Sequence, residues 1–372
     1  MTDPAFSVRE MAVSPAHEQV RDHLRSLLLA GEFPAGFRLP STQELARQLG
    51  THTATAHRAM TELVQQGLVV RRVGYGTFVR GRSTKLSTVG IYCLQDPALL
   101  PESGGQRLVY AELLGLLQER ELRVIKWMDE RPMNRQTAPL PAMEEAIRTG
   151  QLDALVVPCV DMPHLSWLQK LSCPKAFGGH GSLPNSVLYD SSQMIEMGLD
   201  ALVAQGCRSV GFVSPLNPGA RLPVDHSGVN YFTFFREQAS RRGLETNDDW
   251  IQQGCIRAEI QDPTTEAFGY RVVRKMWSSR QRPEGLFVFP DTVARGALLA
   301  LSQLGVEVGR DVKLVAQQWV EAPIFCPLPA TFLNLSAKAF AEALLAQVET
   351  QFAGGTCTHR SIPFTLETQT RK

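Results

Sequence analysis

Apolar residues recur at helical spacing three times near the start of the chain. In AHEQVRDHLRSLLLA (16–30), Val20, Leu24, Leu27 and Leu28 fall on one face, and Gly31 stops the run. EFPAGFRLP (32–40) then reads as a loop. Ser41 with Glu44 three positions later is the capping-box pattern for a second helix, which turns Leu45, Ala46 and Leu49 inward and ends at Gly50. A third helix is predicted from about Thr51–Thr53 through Ala56, Ala59, Met60 and Leu63 to Gly67. Two short helices joined at a glycine make a helix-turn-helix, whose second helix offers its first residues to the DNA major groove. LVVRRVGYGTFVRG (68–81) alternates around Gly74-Tyr75-Gly76, which predicts a two-stranded wing with an arginine-rich stem. The plainer alternative is a three-helix packing unit with a solvated polar face.

Beyond GRSTKLS (81–87), a short polar hinge, the pattern changes. Continuous apolar runs at 88–94, 122–127, 152–158, 207–214, 283–290 and 311–317 predict strands buried on both faces. Helical stretches lie between them, around 110–114, at 142–150, near 230–242, at 292–304 and at 336–352. FGGHGSLPNS (177–186) reads as a loop. Strand and helix in alternation indicate a doubly wound α/β domain, and such sheets take ligands at the carboxyl ends of their strands. The expected organisation is a DNA-binding head at 1–80, a linker at 81–87 and a larger α/β domain at 88–372.

Charge sharpens this division. The 372 residues carry a net charge of +1, yet between 17 and 82 nine arginines face five acids, so the head is basic and the remainder slightly acidic. The seven cysteines are scattered without CxxC or Cys/His spacing and read as structural thiols. No apolar run reaches the ~20 residues of a membrane span, and the first residues lack the pattern of a signal peptide. A cytoplasmic protein without membrane contact is expected.

Residues 16–80 resemble the GntR family of winged-helix regulators. The likeness rests on LPS-x-x-E-L-A-x-x-L-G (Leu39 to Gly50), on R-A-x-x-x-L-x-x-x-G-L (Arg58 to Leu68) and on G-x-G-T-F-V (Gly74 to Val79). Carried over by position, the family's DNA-facing residues fall on Arg38, Gln43, Thr53, Thr55, His57 and Gly74. Arg58, Arg71 and Arg72 are expected on phosphates, and Tyr75 with Gly74 at the minor groove. His52-Thr53 and His57 depart from the serine-arginine and arginine common in the family, so base preference does not transfer, and His57 introduces a pH-sensitive group.

Residues 86 to 370 resemble the sensor domain of LacI/GalR regulators, which is similar to periplasmic sugar-binding proteins. Asp190 before a helix, the run FVFPDTVARGALLALSQLGVEVGRDVKLVA (287–316) and PLPATFLNLSAKAFAEALL (327–345) carry the likeness. It implies two α/β lobes closing on a small molecule, with Asp190, Tyr231, Asp291, Gln318 and Trp319 as ligand candidates. Tyr231 stands where the family often has a sugar-binding arginine, and Ala316-Gln317-Gln318 where it has Gly-x-Asp. Asp190 and Asp291 can accept hydrogen bonds from hydroxyl or amine groups, and Tyr231 and Trp319 can stack on a ring. Either aspartate can instead be a helix N-cap.

No GxGxxG, GxxxxGK[ST] or GxSxG pattern follows a strand, which speaks against a catalytic domain, and His180 reads as a loop residue. The expectation is a homodimeric repressor without cofactor or metal. It would bind a palindromic operator and respond to a carbohydrate-like effector. The alternative is a regulator whose cleft has lost sugar binding and answers to a non-sugar ligand or a protein partner.

Overall fold

In the computed structural model the described residues are 15–369, except 31, 35, 66–67, 73, 80–84, 97–103, 149–150, 161–162, 180–183, 217–219, 221, 223–228 and 255–263. Residues 81–84 of the expected hinge, Gly67, Cys255 and His180 thus lie outside them. The head comprises α1 (Ala16–Ala30), α2 (Thr42–Gln48), α3 (Thr53–Gln65) and a hairpin of β1 (Val69–Arg72) with β2 (Gly76–Val79). Its core is Val20, Leu24, Leu39, Leu45, Leu49, Ala59, Met60, Leu63, Val69 and Val79, so the apolar stripes of the three helices meet as their spacing predicts.

Two local details differ from the sequence reading. Ser41 caps α2 by accepting the Glu44 N–H at 3.2 Å, but the reciprocal half of the capping box is not formed. The Glu44 carboxylate instead accepts from Arg47 at 2.6 Å and Gln48 at 2.9 Å. The expected loop before α2 also adds to the wing. The Leu39 N–H donates to the Thr77 carbonyl at 2.9 Å and the Val79 N–H to the Phe37 carbonyl at 2.8 Å, while Arg38 faces Phe78. Pro34, Gly36 and Pro40 hid this pairing, because prolines and glycines around a short alternating stretch signal a turn.

The body contains two six-stranded sheets. The first is built from β3 (Thr88–Cys93), β4 (Arg123–Met128), β5 (Ala154–Val160), β6 (Lys175–Gly179), β7 (Ser186–Tyr189) and β13 (Arg360–Ile362), in the order β13-β7-β6-β5-β3-β4 and parallel throughout. Helices α4 (Gly105–Glu119) and α5 (Pro141–Arg148) belong to it. The second holds β8 (Val210–Ser214), β9 (Ile251–Gln253), β10 (Gly285–Val288), β11 (Lys313–Trp319), β12 (Thr331–Leu335) and β14 (Thr365–Thr368), ordered β14-β12-β11-β10-β8-β9, with β14 antiparallel at the edge. Its helices are α7 (Tyr231–Arg241), α8 (Thr265–Trp277) and α9 (Asp291–Gln303).

The chain crosses between the lobes three times. After β7 it enters α6 (Ser191–Ala204), which packs on β10, β11 and β12 of the second lobe. After β12 it enters α10 (Ala337–Phe352), which packs back on β5, β6 and β7. The third crossing leads from β13 to β14. Strand alternation sorts the side chains: Phe212, Phe287 and Val315 enter a core continuous with Val89 and Ile91 of the first lobe, while Val213, Leu286, Val288 and Leu314 face α8 and α9. Burial on both faces explains the apolar runs of β3, β8, β10 and β11, whereas the strand expected at 122–127 is the edge strand β4, where Arg123 and Lys126 are exposed and the rest only half-buried. Part of the expected loop at 177–186 is strand β6, because a side chain at Gly178 would lie 1.9 Å from the Pro158 carbonyl oxygen. Glycine there marks close strand contact rather than a turn.

Candidate nucleic-acid interface and sensor cleft

Of the residues expected at DNA, Arg38, Gln43, Thr53, His57, Arg58, Arg71, Arg72, Gly74 and Tyr75 are exposed and Thr55 is half-buried. Thr53 and His57 are one turn apart on α3 and share a face. The wing supplies Arg71 and Arg72, α3 supplies Arg58, and Arg38 comes from the segment before α2. Gly74 and Gly76 have φ of 77° and 117°, and Tyr75 at the tip is 72 % exposed.

The cations are held in place by specific contacts. A Cβ at Gly76 would lie 2.9 Å from Arg38 Nε, so the missing side chain makes the bed on which the guanidinium rests. Arg72 sits over the Phe78 ring, 5.1 Å from its centroid. Arg58 lies 3.6 Å from Glu62, which also takes Arg21 at 3.0 Å and His17 at 3.5 Å. A carboxylate on α3 thus steers Arg58 and ties α1 to the recognition helix. Glu62 and Phe78 were not expected at this site, and Gly76 was read from sequence only as a glycine of the wing turn, not as the support of Arg38.

In the body, the parallel register places Val213 beside Val288 and Val288 beside Ala316. The next row, at the carboxyl ends of three adjacent strands, is therefore Ser214, Phe289 and Gln317. Asp291 opens α9 directly above, and its N–H donates to Gln317 Oε1 at 3.0 Å. Asp291 and Gln317 are almost fully buried, and Ser214 completely so. Burial pushes the Asp291 carboxyl up to about 6, against the opposing pull of Arg295 and of nearby backbone N–H groups.

The remaining expected ligand residues are placed differently from one another. Asp190 caps α6, accepting the Gln193 N–H at 2.8 Å. Tyr231 is buried and stacks between Phe212, at 6.1 Å between centroids, and Phe289, at 6.4 Å; burial raises its hydroxyl well above the usual phenol range. Gln318 lies on the opposite face of β11, donating to Asn334 at 2.8 Å and accepting the Ile324 N–H at 2.9 Å. Trp319 projects to the first lobe, where its indole covers Gly105 at the start of α4 so closely that no Cβ would fit. With both of its partners inside the protein, Gln318 presents no free binding group in this conformation, and the Tyr231 ring is committed to its aromatic neighbours. Gln317, overlooked in the sequence, is the glutamine beside Asp291. Period-two alternation from Val315 pointed to it, since one step along a strand reverses the face.

Residues 16–79 match the bacterial regulatory proteins of the gntR family, and residues 199–367 match the periplasmic binding protein-like domain. The histidine utilization repressor of Pseudomonas aeruginosa is 41% identical over 66 residues, 18% of this chain and 26% of that protein. The HTH-type transcriptional repressor NagR of Bacillus subtilis is 27% identical over 115 residues, 31% of this chain and 47% of that protein. The match thus spans less than half the length of these curated relatives. Among solved structures, the lac repressor dimer bound to operator and the anti-inducer ONPF superposes with a TM-score of 0.60 and 14% identity, over 77% of this chain and 95% of that one. At that identity the likeness is one of fold.

Proposed function

We propose that this chain, whose residues 16–79 match the gntR family of bacterial regulatory proteins and whose residues 199–367 match the periplasmic binding protein-like domain, functions as a transcriptional repressor. In this reading residues 1–80 bind DNA, 81–87 form the linker, and 88–372 form the sensor, which binds a carbohydrate or derivative between its lobes. The observation that carries it is exposure: Thr53 and His57 are exposed on one face of α3, Arg71 and Arg72 on β1, and Arg38 where it bridges to Phe78 of the wing. Thr53, Thr55 and His57 read base edges and Gln43 faces the DNA beside them; the arginines hold phosphates; Gly74 and Tyr75 reach the minor groove. Lobe movement is transmitted to the heads, because an effector shifts DNA affinity only by binding two conformations unequally.

Homodimerisation supplies two heads for a palindromic operator. The second lobe offers a surface for it: Phe325 is 89% exposed, Val320 54% and Leu299 52%, and Arg295 joins their elements by donating to the Ala322 carbonyl at 3.2 Å. Exposed apolar side chains gathered in this way mark contact surfaces. No helix of the described residues is long and apolar enough to cross a membrane, and we place the protein with its DNA in the cytoplasm. Enzymatic activity forms no part of this reading.

The test is selection of bound fragments from random duplex DNA by the full chain, followed by footprinting. A two-fold symmetric site whose binding is weakened by Thr53→Ala and His57→Ala supports the reading. Recovery of no preferred sequence overturns it.

A further inference from the structure

Nine buried side-chain atoms among the described residues have no well-formed hydrogen bond, and five of them gather at the cleft end of the second lobe: Ser214 Oγ, Asp291 Oδ2, Arg295 Nε, Gln317 Nε2 and Tyr231 OH, the last with the Ser191 side chain beside it. The other four, on His23, Gln48, Gln136 and Thr246, are scattered over the head, the first lobe and the edge of the second. Buried polar groups are nearly always paired, so a cluster of unpaired ones calls for a partner outside the chain.

The chemistry of the cluster restricts that partner. Gln317 is oriented by the Asp291 N–H on its carbonyl oxygen, which leaves its NH₂ as a donor. Beside it the free oxygen of Asp291 is an acceptor carrying negative charge. The charged groups acting on Asp291 are Arg295 on its own helix and Glu266 on α8, and Gln317 on the neighbouring strand is neutral. Arg295 donates one terminal NH₂ to the Ala322 carbonyl and keeps its Nε–H unpaired. An anion placed here would meet Asp291 and Glu266 against a single guanidinium, whereas a protonated nitrogen would satisfy the carboxylate and restore balance. The donor of Gln317 requires an acceptor next to that nitrogen. Ser214, on the far side of Phe289 and two strands away, lies roughly 10 Å off at the usual strand spacing, a gap that one ring spans with a polar substituent and a hydrogen bond at each end.

Resting on the reading of this cleft as the effector site, we propose that the effector is a vicinal amino alcohol, its protonated amine on Asp291, its adjacent hydroxyl on Gln317 and a further polar group reaching Ser214. A ligand whose only charge is a phosphate or carboxylate is disfavoured by the same groups. Entry requires the lobes to part, since Trp319 covers Gly105 across the cleft, so binding also changes indole fluorescence.

Calorimetry and fluorescence on the full chain test this with two matched series: D-glucosamine, D-glucose and D-glucose 6-phosphate; and 2-amino-1-phenylethanol, 1-phenyl-1,2-ethanediol and mandelate. The amine of at least one series is expected to bind about tenfold or more tightly than its neutral partner, a margin of the size one buried charge pair supplies, with the anion silent. Asp291→Asn should abolish the margin, and Gln317→Leu should weaken amine and neutral compound alike. A neutral or anionic member binding as tightly as its amine overturns the assignment, as does silence from both amines. DNA binding by the same preparation is scored separately. An amine that binds a chain indifferent to DNA removes the repressor and keeps the site, whereas operator binding without an amine response removes this ligand class alone.

Discussion

Replacing Asp291 by asparagine should make the unliganded protein more stable near neutral pH, and the gain should disappear in acid. The carboxyl is raised from 3.8 to about 6 by burial. A folded value above the unfolded one means that the native state holds the proton more tightly. At low pH both states are protonated and nothing is lost. As the pH climbs past the unfolded value the unfolded chain ionises first, and the cost of burying a carboxylate grows until the pH exceeds the folded value. Linkage over this shift gives about 3 kcal/mol at pH 7.5 and about 1 kcal/mol at pH 4.5. Asparagine cannot ionise, so the difference between variant and wild type should fall by about 2 kcal/mol between these two pH values. Any constant penalty from its amide cancels in that comparison. All five tryptophans lie in the body, at 127, 167, 250, 277 and 319, so urea unfolding followed by tryptophan fluorescence reports on the domain concerned. A difference independent of pH, or one that grows in acid, would refute the argument. A binding group that costs stability until its ligand arrives is the expected trade between function and stability.

Gly76→Ala should displace Arg38 and weaken all DNA sequences alike, lowering the slope of log affinity against log salt by about 1; Arg38→Ala added to it should cause little further loss in a filter-binding titration. Asp129, wholly buried, is held low despite burial by Arg131, which binds it at 2.8 and 2.6 Å, and by the Tyr92 hydroxyl. Its contribution is present above the usual carboxylate range and lost as pH falls through its depressed folded value, so Asp129→Ala should destabilise the body by about 2–3 kcal/mol at pH 7 in denaturant melts, and by less in acid. Phe325→Glu should lower the sedimentation mass to that of one chain while leaving the circular dichroism of each chain intact.

Much of this architecture was legible in the residues because burial imposes periods. Leu45, Ala46 and Leu49 mark α2, and the unbroken run ending in Val157 marks a strand with no solvent face. Less visible were contacts that join distant segments. The pairing of residues 37–39 with the wing depends on where the hairpin lies. The Ser336 cap of α10 is local, but it is reinforced by Glu321, which accepts from the Ser336 hydroxyl at 2.8 Å and from the Ala337 N–H at 2.9 Å, and no local motif announces that contact. The choice between Gln317 and Gln318 turned on strand parity, which the sequence carried. The packing of Tyr231 and Trp319 depended on neighbours that only the tertiary structure supplies, namely Phe212, Phe289 and Gly105.

The most direct test of the account is fluorescence anisotropy of the full chain on its selected DNA site and on a scrambled duplex, across a salt series. The account predicts binding to the symmetric site at least about a thousandfold tighter than to the scrambled duplex at physiological salt, with both affinities falling as salt rises. Equal affinity for the two duplexes at every salt concentration would contradict it.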